Sequence, residues 1–145
     1  MSRSLRWLCV LVALSVLAGC GKKHVNTNNT GTASLQLSTT ELAWPGAGPE
    51  SHTTKSVTLT AGQGATVQFL APLSITGSGA DGFTVDPDTH MPDSLEPGQS
   101  CVIEIAPIIP SPGGSRDFTA QLVISSNAVS SPHKVDLKVS TQPFH

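Results

Sequence analysis

The chain has 145 residues, a formal charge of −2, 12% charged and 4% aromatic side chains, and no tyrosine. Lys and Arg this few, and in no cluster, exclude a nucleic-acid-binding surface, while the scarcity of aromatic rings argues against a broad sugar-stacking platform. The length suits one domain with a real core.

The first nineteen residues read as a leader rather than as part of a fold. Arg3 and Arg6 give a positive start, and Trp7–Leu17 (WLCVLVALSVL) is an apolar run broken only by Ser15. That run fits a signal-peptide core but falls short of the roughly 20 apolar residues a membrane-spanning helix needs. Leu17-Ala18-Gly19-Cys20 follows and resembles the lipobox of bacterial lipoproteins residue for residue. The resemblance implies a signal peptide over 1–19, cleavage between Gly19 and Cys20, and acyl chains on the sulfur and amino group of Cys20. Each buried CH₂ of such chains contributes about 0.8 kcal/mol, so two or more chains anchor a protein stably where one does not. The expected location is therefore the cell envelope. Gly21 stands where an Asp would resemble an inner-membrane retention signal, which favours the outer membrane. Loss of Arg3 and Arg6 with the leader leaves 126 residues with six basic and ten acidic side chains, a charge of −4.

Residues 20–33 carry the lipidated Cys20 and then an Asn/Thr/Gly-rich stretch with no apolar period, expected to act as a flexible tether. From Ser34 the apolar period is two. Leu35 and Leu37 alternate in SLQLS, Val57 and Leu59 in KSVTLT, and Val67 and Phe69 in ATVQFLA. Cys101, Ile103 and Ile105 share a face of SCVIEIA with Glu104 opposite, and Phe118, Ala120, Leu122 and Ile124 share one of FTAQLVIS. HKVDLKVS places Val135, Leu137 and Val139 inward and Lys134, Asp136 and Lys138 outward. This alternation predicts strands with one buried and one wet face. Turn formers separate them, as in PGAGPE, AGQG, GSGADG, EPGQ, PSPGG and NAVSSP, and eleven prolines discourage helices. The pattern predicts an all-β antiparallel sandwich of about seven strands over 34–142.

The order of these pieces resembles the immunoglobulin-like ASH/Hydin domains, including the bacterial choice-of-anchor D modules. The matching positions are Ile75, Gly77 and Phe83; Leu95, Pro97, Gly98 and Cys101; Leu122, Ile124, Ser126 and Asn127; and Pro132, Val135 and Leu137. The match spans residues 34–140 and is tighter in the second half. LAWPGAGPESHTTKSVTLTAGQG replaces the Phe-Gly and Thr-Asn patterns of the first half. Bacterial members often place a second Cys, a disulfide partner by its position, shortly before the turn Cys; this chain has DPDTHMPDSL there, with His90 and no Cys. Cys9 leaves with the leader and Cys20 is spent on lipid. Cys101 is then expected to remain a thiol, buried on a Val/Ile face and inert as a small hydrophobe.

Chemistry beyond the anchor has little support in the sequence. A blue-copper centre needs two His, a Cys and commonly a Met around one metal, yet no Met follows Cys101 and the next His is His133. Asp86, Asp88 and His90 form an acidic loop that offers the one weak metal candidate, without calcium-loop spacing. There is no Gly-x-Ser-x-Gly elbow, the five His are scattered, and Asp86 and Asp88 have no aromatic cleft to separate their pKa values. Trp44 reads as a core or strand-end residue. The expectation is a non-enzymatic, cofactor-free module for protein interaction or scaffolding, held to the membrane through Cys20, with an envelope protein as partner. The alternative is a periplasmic lipoprotein binding a small ligand or metal through the 86–93 loop.

Overall fold

The computed structural model describes residues 31–47, 53–109 and 117–141. Ten strands follow in chain order: β1 (Leu35–Leu37), β2 (Glu41–Ala47), β3 (Lys55–Ala61), β4 (Val67–Gln68), β5 (Ser74–Thr76), β6 (Phe83–Val85), β7 (Ser94–Leu95), β8 (Ser100–Pro107), β9 (Phe118–Ile124) and β10 (His133–Thr141). One sheet runs β1-β3-β8-β6 and the other β2-β10-β9-β5, with β4 and β7 forming a small ladder of their own. The predicted sandwich is present.

The long strands obey the period read from the sequence. Val57 faces Ile103 and Leu59 faces Cys101 across β3 and β8; Val135 faces Leu122 and Leu137 faces Ala120 across β10 and β9. Each of these residues is buried. Residues of one parity from both sheets thus point at each other, and the opposite parity stays wet. Ala33, the last residue of the predicted tether, belongs to this core: it is buried and its carbonyl accepts the Val129 N–H at 3.0 Å.

Two features depart from a plain antiparallel pattern. The chain changes sheets over Ser38–Thr40, between β1 and β2. The Ser38 N–H donates to the Thr58 carbonyl on one side, and the Thr40 carbonyl accepts from Asp136 N–H on the other. As a result β2 lies parallel to β10, which an immediate hairpin could not achieve. Second, PGAGPE is not simply a turn: Pro45, Gly46 and Ala47 complete β2. Register moves from Val139↔Trp44 to Thr141↔Ala47, two residues against three, and Gly46 takes φ 64° at this bulge, a conformation that suits glycine. The strand count exceeds the expected seven because β5, β6 and β7, with only two or three residues each, show no period in the sequence.

The two ends of the sandwich differ. At one, Gly62 N–H donates to Ser34, Gly98 N–H to Ala61 and Leu70 N–H to Ser125, which gathers the incoming chain and the loops at 62–73, 96–99 and 125–132. At the other, Trp44, Phe83 and Phe118 stack in sequence, with centroids 5.7 and 5.2 Å apart. Strand β8 runs from one end to the other, about 25 Å at the usual rise.

Candidate functional site

Gly19 and Cys20, the predicted cleavage and lipidation residues, lie outside the described residues. Cys101 sits on β8 and is 3% exposed. Asp86, Asp88 and His90 fall in the loop after β6, where local hydrogen bonds occupy them. An Asp86 carboxylate oxygen accepts the Asp88 N–H at 2.8 Å, and His90 Nδ1 lies 2.8 Å from the Asp88 carbonyl. The loop is fixed to β8, since Asp86 N–H donates to the Glu104 carbonyl and Glu104 N–H to Thr89 Oγ1. No three His, Cys, Asp or Glu side chains come together as metal ligands among the described residues. Trp44 is a core residue, 4% exposed; its Nε1–H donates to the Thr53 carbonyl at 2.7 Å, and Lys55 Nζ lies 5.8 Å above its ring.

The described residues instead assemble a polar shelf on the outer face of the second sheet. Glu41, Asp136, Gln121 and Thr76 stand in register across β2, β10, β9 and β5. Gln121 Nε2 donates to Asp136 Oδ1 at 2.9 Å, and Lys138 Nζ pairs with the Glu41 carboxylate. The hydrogen bond and charge of Glu41 hold the Lys138 ammonium above its usual range, Asp136 adds a smaller push, and slight desolvation works against both. Lys138 is thus firmly cationic at physiological pH.

The turn after β5 walls the shelf. Gly77 takes φ +112° and Gly79 N–H donates to the Thr119 carbonyl at 3.1 Å. A side chain at Gly79 would place Cβ 2.7 Å from that same oxygen, so glycine permits the turn to lie on β9. Between turn and strands is a shallow cavity of about 400 Å³, lined by Thr76, Ser78, Thr119, Gln121, Asp136 and Lys138 among others. It presents donors, acceptors and both signs of charge on an open surface.

The sheet edges are less hospitable. Edge strands β1, β5 and β6 have three residues each, while the longer edge strand β2 carries Pro45 and the bulge. Short or proline-interrupted edges resist addition of a further strand. Alternation in the sequence places Asp136 and Lys138 on a wet face but not their partner Glu41, because Pro45 and Gly46 give the strand bearing it a turn-like signature. An ELAW segment with two inward apolar residues was the available signal.

No family model matches the chain, and no curated protein matches it. Among solved structures it is similar to a protein of unknown function from Porphyromonas gingivalis W83, with 18% identity and a TM-score of 0.58 over 79% of this chain and 49% of that one. It is also similar to the periplasmic chaperone SfaE, with 12% identity and a TM-score of 0.52 over 75% of this chain and 58% of that one. The ASH / PapD-like domain of human CEP192 matches with 16% identity and a TM-score of 0.50, over 89% of this chain and 97% of that domain. This chain spans about half the length of the Porphyromonas protein. A glycoside hydrolase of family 123 from Clostridium perfringens shares the likeness over 27% of its length, so the likeness speaks to architecture alone. That architecture is an immunoglobulin-like β-sandwich, the fold shared with the chaperone SfaE and the ASH / PapD-like domain.

Proposed function

We propose that this protein is an envelope lipoprotein, anchored through Cys20, whose immunoglobulin-like domain is a non-enzymatic module that binds a protein partner on the outer face of the β2-β10-β9-β5 sheet. The observation that carries the reading is the shelf of Glu41, Lys138, Asp136 and Gln121, a broad surface of ordered polar groups beside a shallow cavity. Such a surface suits the polar, hydrogen-bonding contact of a non-obligate interface. The blunt sheet edges favour capture by side chains over strand addition. Kinship of architecture with a periplasmic chaperone and an ASH domain supports an interaction role. The lipobox supports the anchor, and Gly21 supports the outer membrane.

The test is cross-linking and affinity recovery from detergent-solubilised membranes, with wild type and a Lys138→Glu/Gln121→Ala variant. A defined envelope protein recovered with wild type and lost with the variant is the expected result. Equal recovery with both would remove the shelf from the interface. Micromolar binding of a metal or metabolite, seen as a thermal shift, would replace the protein-partner reading with ligand binding.

A further inference from the structure

The end of the sandwich where the chain enters has properties the other surfaces lack. Residues 31–40, 62–73, 97–99 and 125–132 contain no Asp, Glu, Lys or Arg, and with Glu96 they make up the incoming chain and the loops of this end. Its rim also holds the two most exposed large hydrophobic side chains among the described residues, Leu70 at 66% and Val129 at 52%. Both are fixed to the frame through their backbones, Leu70 N–H donating to Ser125 and Val129 N–H to Ala33. Ser126 and Asn127 stiffen the support: Ser126 N–H donates to Ser131 Oγ at 2.9 Å, and Asn127 Oδ1 accepts the Gln68 N–H at 2.8 Å.

We propose that this end faces the bilayer, with Leu70 and Val129 seated among the lipid headgroups of the membrane that holds Cys20. The inference rests on the lipid-anchor reading and adds an orientation to it. Covalent connection points to this end, because Ala33, where the tether joins the core, accepts directly from Val129. Charge selects the same end. A domain with net charge −4 after loss of the leader is repelled by anionic headgroups, so it approaches most easily through a surface poor in carboxylates. Two carboxylates border this end beside β7, which pairs with β4: Asp93 is exposed and its carbonyl accepts the Phe69 N–H at 3.0 Å, while Glu96 is half-buried and accepts from Thr66 Oγ1 at 3.0 Å. Exposed leucine and valine on rigid loops then gain by leaving water. With this end down, the sheet faces stand roughly upright from the membrane and the shelf stays open to a partner.

The experiment uses the full chain in vesicles of phosphatidylethanolamine and phosphatidylglycerol that carry a nitroxide headgroup lipid. On a Cys101→Ala background, a fluorophore is placed through Leu70→Cys, Val129→Cys or, at the opposite end, Ile108→Cys. Lipid quenching should be at least about threefold stronger at 70 and 129 than at 108, given about 25 Å between the ends. Adding Leu70→Asp and Val129→Asp to a fluorophore placed through Ser130→Cys should lower quenching to the level at 108 while the unfolding midpoint stays put. Equal quenching at all three positions in a chain whose mass shows acylated Cys20 overturns the orientation and leaves the anchor standing. Protection of positions 70 and 129 from an aqueous quencher without lipid quenching also overturns it, because the tether or a second copy then covers this end. A chain without acyl mass removes the anchor reading and the orientation together.

Discussion

Glu41 and Lys138 pair across the parallel junction of β2 and β10, although 97 residues separate them in the chain. Both side chains are about half exposed, so the pair is screened by water and salt and adds little to stability. Its role is to set the charge pattern of the shelf. Lys138→Ala is therefore expected to leave thermal unfolding at neutral pH nearly unchanged while weakening partner recovery. Leu137→Ala, one residue away and fully buried, should cost about 2–5 kcal/mol. The folded pKa of Lys138 is raised, so whatever the pair contributes is present below 10.5 and fades as pH climbs through the raised value. Urea unfolding of both variants at neutral and alkaline pH checks the contrast.

His133 provides the acid-side counterpart. It opens β10, its Nδ1 is buried without a hydrogen-bond partner among the described residues, and desolvation lowers its pKa while a hydrogen bond with the Leu35 backbone partly opposes this. The folded state therefore holds His133 neutral where the unfolded chain would already be protonated. Its contribution is complete above 6.5 and is lost as pH falls through the lowered folded value. Stability measured from pH 8 to pH 4 should decline below 6.5 more steeply for wild type than for His133→Gln. Superimposable profiles would show that His133 does not set this slope.

Asn127 fastens the small β4-β7 ladder to the loop between β9 and β10. Its Oδ1 accepts from Gln68 N–H, its Nδ2 donates to the Thr66 carbonyl at 3.3 Å, and its own N–H donates to the Gln68 carbonyl. Asn127→Ala deletes both side-chain bonds and leaves the Gln68 N–H seeking water, a loss of about 1–2 kcal/mol. The loss should appear first as faster amide exchange at Gln68 and Phe69, ahead of global unfolding. Unchanged exchange there would mean that the loop holds β4 without this side chain.

What was legible in the sequence follows from strand length. Strands β3, β8, β9 and β10 have seven to nine residues, enough for period two to stand out, and their inward residues form the core. Strands β5, β6 and β7 are too short to show a period, and only their neighbours hold them extended. Trp44 reads as core or strand end, but Pro45 and Gly46, whose turn-forming character serves a bulge, obscure the strand around it. The shelf was half legible for the same reason. Alternation exposed Asp136 and Lys138, yet nothing local announces that Glu41 lies beside them, because parallel pairing joins segments remote in sequence. The acidic loop illustrates the converse: Asp86, Asp88 and His90 are close in sequence, but backbone partners occupy the Asp86 carboxylate and the His90 ring.

Gly82 is where the aromatic end tolerates no side chain. A Cβ there would sit 2.2 Å from Phe118 Cε2 and 2.5 Å from Cδ2, and Phe118 is in turn packed edge-on against Phe83 with planes 65° apart. Gly82→Ala therefore displaces the ring and disturbs the Trp44–Phe83–Phe118 stack, at a cost of about 1–3 kcal/mol. Near-ultraviolet circular dichroism of the Trp44 band should change along with stability. If the variant is as stable as wild type with an unaltered spectrum, Phe118 has room to turn aside.

Cys101 closes the set through reactivity. Its side chain lies opposite Leu59 in the β3-β8 ladder, 3% exposed and surrounded by an apolar core. Thiol reagents attack the thiolate, and burial in the core blocks their approach. Ellman's reagent should therefore label Cys101 in the native protein only as fast as the domain opens, and rapidly once urea unfolds it. Since Cys101 lies in the core on a central strand of its sheet, the labelling rate should follow global stability. It should rise in Leu137→Ala, whose cavity weakens the core, and stay at the wild-type value in Lys138→Ala. Fast, complete labelling of native wild type would mean that β8 opens locally, without unfolding of the sandwich.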